Sequence, residues 1–138
     1  FFFQAEDGIR DTELWLEFRR VLFRSMLSVI QKGINPILNQ YDYPDLAIKI
    51  GIDYGENMIV RYGSDSIKSH VDIIGPVMNI AAKIQSMAKP NQLLIGDDVY
   101  TRIHPSIQTS FEKMVWKNNE WKYRRDTGEL YPIWMHTD

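Results

Sequence analysis

Apolar residues along this chain recur at two spacings, and the alternation between them predicts its elements. Leu27, Ile30, Ile34, Ile37 and Leu38 return every three or four positions, which predicts a helix over 26–39, weakened by Gly33 and Pro36. Tyr41 to Asp45 reads as a loop. Leu46–Asp53 and Asn57–Tyr62 read as strands joined in a hairpin by a turn around Gly55-Glu56, and Gly63-Ser64-Asp65-Ser66 reads as a second turn. A strand over Ser69–Ile74 then runs through a glycine turn into a helix over Val77–Met87. On that helix Val77, Ile80, Ala81, Ile84 and Met87 fall on one arc, the side expected to face the core, and Pro76 suits the first helical position. Lys89-Pro90-Asn91 breaks the helix, and Gln92–Ile95 is a short strand. Gly96 or Asp97 is expected to cap a short helix to Ile103, with Asp97 and Asp98 well placed in its first turn; His104-Pro105 ends it. Thr109–Trp116, Trp121–Arg124 and Leu130–Met135 read as closing strands, separated by turns at Lys117-Asn118-Asn119-Glu120 and Arg125-Asp126-Thr127-Gly128. This order predicts an α+β chain, a sheet with helices on one face.

Three polar residues interrupt the most apolar part of the pattern: Asp72, Asn79 and Lys83. Asn79 and Lys83 stand four apart and share a helix side, while Asp72 lies just before the turn, on the strand that feeds the helix. One carboxylate, one amide and one cation therefore gather at a strand–helix junction. Taken singly, each has an ordinary structural reading: a turn-stabilising aspartate near Gly75, an exposed helix asparagine and a solvated helix lysine.

Taken together, Asp72, Gly75, Asn79, Ala81 and Lys83 resemble the catalytic domain of class III adenylyl/guanylyl cyclases, whose helix carries Asn-x-Ala-x-Arg. Ile48-Lys49-Ile50-Gly51-Ile52-Asp53-Tyr54-Gly55-Glu56 and the stretch from Ala88 to Tyr100 resemble two further segments of that family in the same order, so the likeness covers roughly residues 27–136. It implies a ferredoxin-like cyclase fold with a mixed, partly antiparallel sheet, lacking the N-terminal strand-helix-helix part. It also implies conversion of ATP to 3′,5′-cyclic AMP and pyrophosphate, with two Mg or Mn ions and a site shared across a homodimer. By the same resemblance Asp72 and Gly75 belong to the substrate site, Asp72 accepting from the purine amine, Asn79 orients the ribose, Lys83 stands where the family has arginine, and Lys122, whose other reading is a surface-strand lysine, contacts the triphosphate. The family's metal-binding carboxylates sit in "F-x-D-I-x-G-F" and "G-D" strands, and neither pattern occurs in this sequence. The 138 residues alone are therefore expected to be inactive, whatever a longer parent does.

The sequence departs from the family at three points. Lys83 offers a mobile point charge where arginine offers a planar fork. Pro76 replaces a polar residue, and no glycine follows Lys122. These departures keep open a non-catalytic cyclase-homology domain for dimerisation or nucleotide sensing, and a cyclase using GTP or a pyrimidine nucleotide.

Composition changes this picture little. Hydrophobic residues make up 44% and charged residues 25%, with net charge −2, so neither disorder nor general polyanion binding is indicated. Trp116, Trp121, Tyr123 and Trp134 lack basic clustering and read as core and interface residues, which argues against a nucleic-acid partner. No apolar run reaches membrane-spanning length, and a cytoplasmic location is expected, with any membrane anchor upstream. The absence of cysteine excludes disulfides and thiolate metal sites. His70 shares a strand face with Asp72, but two residues do not make a metal site. Gly51, Gly55 and Gly63 read as hairpin glycines, with no Gly-Lys-Ser/Thr phosphate loop after them.

Residues 1–25 stand apart. FFFQAEDGIRDT and FRRVLFRS resemble translated sequencing-adapter read-through, which places the domain at 26–138. The other reading is an amphipathic helix through Leu14, Trp15, Phe18, Val21 and Leu22.

Overall fold

The computed structural model describes residues 21, 23–63, 68–117 and 120–137. In chain order the elements are a helical run from residue 23 that passes through a π-helical stretch (Val29–Ile34) into α1 (Asn35–Gln40), then β1 (Lys49–Ile52), β2 (Met58–Tyr62), β3 (His70–Ile74), α2 (Pro76–Met87), β4 (Gln92–Gly96), α3 (Asp97–Tyr100), α4 (Pro105–Gln108), β5 (Phe111–Lys113) and β6 (Ile133–His136). Four strands form a mixed sheet in the order β1-β4-β6-β5, with β1 parallel to β4 and the other pairs antiparallel. β2 and β3 form a separate antiparallel ribbon.

The alternation of side chains along the central strands explains why the sheet is buried on both faces. Leu94 points to one face, where Ile80, Ile84 and Ala88 of the α2 region meet Ile133, Trp121 and Tyr131. Leu93 and Ile95 point to the other, where Phe23, Val99, Ile103 and Ile107 cover them with Ile50 and Ile52 alongside. α2 is thus the helical layer the pattern anticipates, with Ile80 and Ile84 inward as expected. The opposite face is sealed by Phe23, Leu27 and the short helices α3 and α4. Gly51 sits under α2 because nothing larger fits: a β-carbon there would overlap the backbone of Ala81 and Gln85.

Several expectations are corrected. The hairpin around Gly55-Glu56 does not form; β1 pairs in parallel with β4, Gly51 opposite Leu94, and β2 turns instead into β3 through Gly63 at φ 104°. Pairing with β4 brings the partly buried Ile50 and Ile52 beside Leu93 and Ile95 in one apolar cluster, and sequence neighbourhood does not reveal that. Residues 64–67 of the second turn lie outside the described residues. The helix expected at 26–39 does form, running on to Gln40 through Gly33 and Pro36. Pro36 cannot give a backbone hydrogen bond, and the preceding turns widen so that the Asn35 N–H reaches Ile30, five residues back. Its apolar side is only partly used: Leu27, Ile30 and Leu38 are half-buried, and Ile34 and Ile37 are exposed.

The helix expected up to Ile103 ends at Tyr100, and His104-Pro105 opens α4 instead of closing a helix, with the His104 ring nitrogen accepting from the Ser106 N–H. The strand at Thr109–Trp116 shortens to β5, and Trp121–Arg124 contributes a single bridge between Arg124 and Leu130 rather than a strand.

Residues 1–20, most of the segment set apart in the sequence, lie outside the described residues. Phe23, near its end, is buried at 3% exposure and belongs to the core.

Candidate functional site

The Asp72-to-Lys83 segment folds as a strand, a tight turn and a twelve-residue helix. Gly75 is the residue before α2, in extended backbone, and it backs onto Asn57 so closely that a β-carbon would overlap the amide. Pro76 occupies the first turn of α2, where its missing N–H is harmless. Asn79 and Lys83 project one turn apart from the exposed side of α2, opposite Ile80 and Ile84.

Lys83 borders an open cleft of about 460 Å³ between the C-terminal half of α2 and residues 120–124. Ser86, Glu120, Lys122 and Arg124 also line it, over a floor of Met87, Trp121 and Tyr123. Three cations and one carboxylate on apolar walls favour an anionic ligand. The wall is well held. The Trp121 indole N–H donates to the Tyr131 carbonyl at 2.8 Å, and Arg124 Nη1 donates to the Gly128 carbonyl at 2.8 Å across a turn where Gly128 takes φ 85°.

Of the residues expected from sequence, Lys83 and Lys122 thus meet in one cleft. Asn79 lies one turn further along the helix, and Gly75 lies at its start. Asp72 sits at the centre of β3 opposite Val60, exposed, and its Oδ1 accepts from the adjacent Ile73 N–H at 2.8 Å. The structure joins Asp72 to none of the others by a hydrogen bond among the described residues.

Arg124 was not anticipated, and neither was a second polar cluster beside the cleft wall. Tyr131 Oη donates to Asp53 Oδ1 at 2.6 Å and accepts from the Asp98 N–H at 3.0 Å. Arg125 Nη2 reaches Asp97 at 2.8 Å and Asp98 at 3.2 Å, and its guanidinium lies 4.9 Å over the Tyr131 ring. The Trp134 indole N–H donates to the other Asp97 oxygen at 2.9 Å. Burial pushes the Asp53 carboxyl above its ordinary value, against the Tyr131 hydrogen bond, which favours the carboxylate. Burial, reinforced by the Asp53 contact, pushes the Tyr131 hydroxyl far above its usual range, so it stays a donor. In the sequence Asp97 and Asp98 signal only a helix start and Arg125 only a turn; the cluster joins residues up to 78 apart.

Magnesium or manganese would need several oxygen donors converging on one point. Among the described residues no group of three His, Cys, Asp or Glu side chains could hold a metal ion. The carboxylates of Asp97 and Asp98 are already turned to Arg125, so the residues described do not fit the ions that the class uses.

The family profile described as "Adenylate and Guanylate cyclase catalytic domain" matches residues 18–132. The chain therefore belongs to the class III adenylyl/guanylyl cyclase catalytic domain family, a family of lyases. Among solved structures it is similar to the adenylyl cyclase CyaB from P. aeruginosa, with a TM-score of 0.61 at 14% identity over 98% of this chain and 63% of that one. It is also similar to the guanylyl cyclase Cya2, with a TM-score of 0.56 at 16% identity over 83% of this chain and 56% of that one. At such identities the likeness is one of fold. The chain spans roughly half to two thirds of the length of those cyclase structures, between 56% and 63%. Comparison with curated protein sequences returned no match.

Proposed function

We propose that this chain is the nucleotide-recognising part of a nucleotidyl cyclase that converts ATP to cyclic AMP and pyrophosphate for second-messenger signalling. The observation that carries this reading is the cleft in which Lys83 on α2 faces Lys122 and Arg124 across an apolar floor. In the reaction the ribose 3′-oxygen bonds to the α-phosphorus and the bond to pyrophosphate breaks, so negative charge shifts onto the phosphoryl oxygens. Lys83 would neutralise that charge as a point cation, and Lys122 with Arg124 would hold the departing pyrophosphate. Asn79, one turn along the same helix, can donate to and accept from the ribose. The Asp72 carboxylate accepts but does not donate, which suits the exocyclic amine of adenine and favours ATP over GTP.

The full enzyme would work as a cytoplasmic homodimer, one protomer supplying these groups and the other the metal carboxylates. The chain as given would turn nothing over. Two residues favour a second reading, a cyclase-homology domain that binds nucleotide without catalysis: lysine at position 83 and proline at position 76.

Binding of α,β-methylene ATP and GTP analogues to the 138-residue chain tests the site. Asp72→Ala should erase an adenine preference of roughly tenfold, the value of one charge-assisted hydrogen bond. A guanine preference, or none in the unaltered chain, would contradict the ATP assignment. Cyclic AMP formed by the purified chain with magnesium would contradict its inactivity.

A further inference from the structure

We infer that Asp97 and Asp98, acting through Arg125, are positioning residues that set the cationic wall of the cleft, an inference that rests on the cleft's binding phosphate groups. The wall residues Lys122 and Arg124 lie on one arm of a turn closed by Arg125 N–H to Glu129 O at 2.9 Å, Gly128 N–H to Arg125 O at 2.8 Å and Tyr131 N–H to Tyr123 O at 2.9 Å. The two arms of the turn are anchored in the core by Trp121 and Tyr131, and beyond Arg124 the outgoing arm is tied to the body by Arg125. Its guanidinium spans both acidic side chains of α3, the first helical turn after the central strand β4.

Asp97 cannot swing to follow it, because the Trp134 indole of β6 holds its second oxygen. Tyr131, the return arm of the turn, is held independently by Asp53 at the end of β1 and by the Asp98 backbone. A β-carbon on Gly96 would overlap Asp53 and close on Tyr131, so these groups are packed against the sheet. Arg125 is next to Arg124 in sequence yet does not line the cleft; its charge is spent on fixing the arm rather than on the ligand. Both faces of the ion pair are partly exposed, so its worth lies in geometry more than in stability.

The sign of one substitution separates this role from simple electrostatics. Removing a carboxylate near a cationic cleft should tighten anion binding, and freeing Arg125 should tighten it further. Positioning predicts the reverse.

The experiment measures inorganic tripolyphosphate binding to the full chain by calorimetry, with circular dichroism to confirm folding and hydrogen exchange read over residues 120–124. Lys83→Ala tests the cleft itself and should weaken binding about tenfold. Asp97→Asn should also weaken binding, about tenfold, and should speed exchange over 120–124. Arg125→Lys should restore part of what Arg125→Met loses. Asp98→Asn, which removes only the longer contact, serves if Asp97→Asn does not fold and should weaken binding to a smaller extent. Binding that is lost in Lys83→Ala but unchanged or tighter in folded Asp97→Asn or Asp98→Asn overturns the positioning role alone. No binding by the unaltered chain overturns the cleft reading, and the positioning role with it.

Discussion

The sheet body and the β2–β3 ribbon are built from similar apolar residues, yet they are held in opposite ways. In the body Leu94, Ile84 and Ile133 are fully buried, and Gly51 lets α2 lie directly on β1. In the ribbon Met58 and Tyr62 on one face are 66% and 53% exposed, and Ile59 and Val71 on the other are 53% and 60% exposed. A two-stranded ribbon has little stability of its own, and at its base Asn57 lies against Gly75 and Gly55 against Val77. The contrast teaches something about the site. The cleft-lining cations Lys83, Lys122 and Arg124, proposed to meet phosphate, stand on the body, whereas Asp72, the proposed base-reading group, stands on the ribbon. On the proposed function, charge neutralisation would rest on the core and base selection on an element that the core holds loosely.

The largest test of this contrast is Leu94→Ala. It should cost about 2–5 kcal/mol, because the cavity lies where both strand neighbours and α2 are already close-packed. Urea denaturation checks it, and a cost below about 1 kcal/mol would show that the body is softer than described.

A smaller effect is expected from Asp53→Asn, read as a difference in stability against pH. Native Asp53 holds its proton more tightly than the unfolded chain, whose value is near 3.8. The stability this provides is full below that value and is lost as pH rises through the raised native value. Relative to Asp53→Asn, the unaltered chain should therefore lose stability over the window just above 3.8. Parallel curves would mean that the polar cluster does not bury this carboxyl.

The smallest effect should be that of Met58→Ser on the ribbon, within about 0.5 kcal/mol in dilute protein. A larger loss that grows with protein concentration would instead show a second copy covering the ribbon.

Much of this was written in the sequence. The apolar arc of Val77–Met87 fixed which side of α2 is buried, because helical periodicity reports one face whatever that face packs against. The Asp72, Gly75, Asn79 and Lys83 pattern pointed to the family only together with the segments Ile48–Glu56 and Ala88–Tyr100, but by itself to the strand-turn-helix that carries it, since those residues lie within twelve positions and their geometry is local. Pairing was not legible. β1 could satisfy its backbone with β2 nearby or with β4 some forty residues away, and only burial of Ile50 and Ile52 against Leu93 and Ile95 decides for the second. For the same reason the meeting of Lys83 with Arg124, and the cluster of Asp53, Asp97, Arg125 and Tyr131, belonged to the tertiary structure alone. Polar residues carry no periodicity that announces a distant partner, and it is the packed sheet that brings their short-range hydrogen bonds within reach.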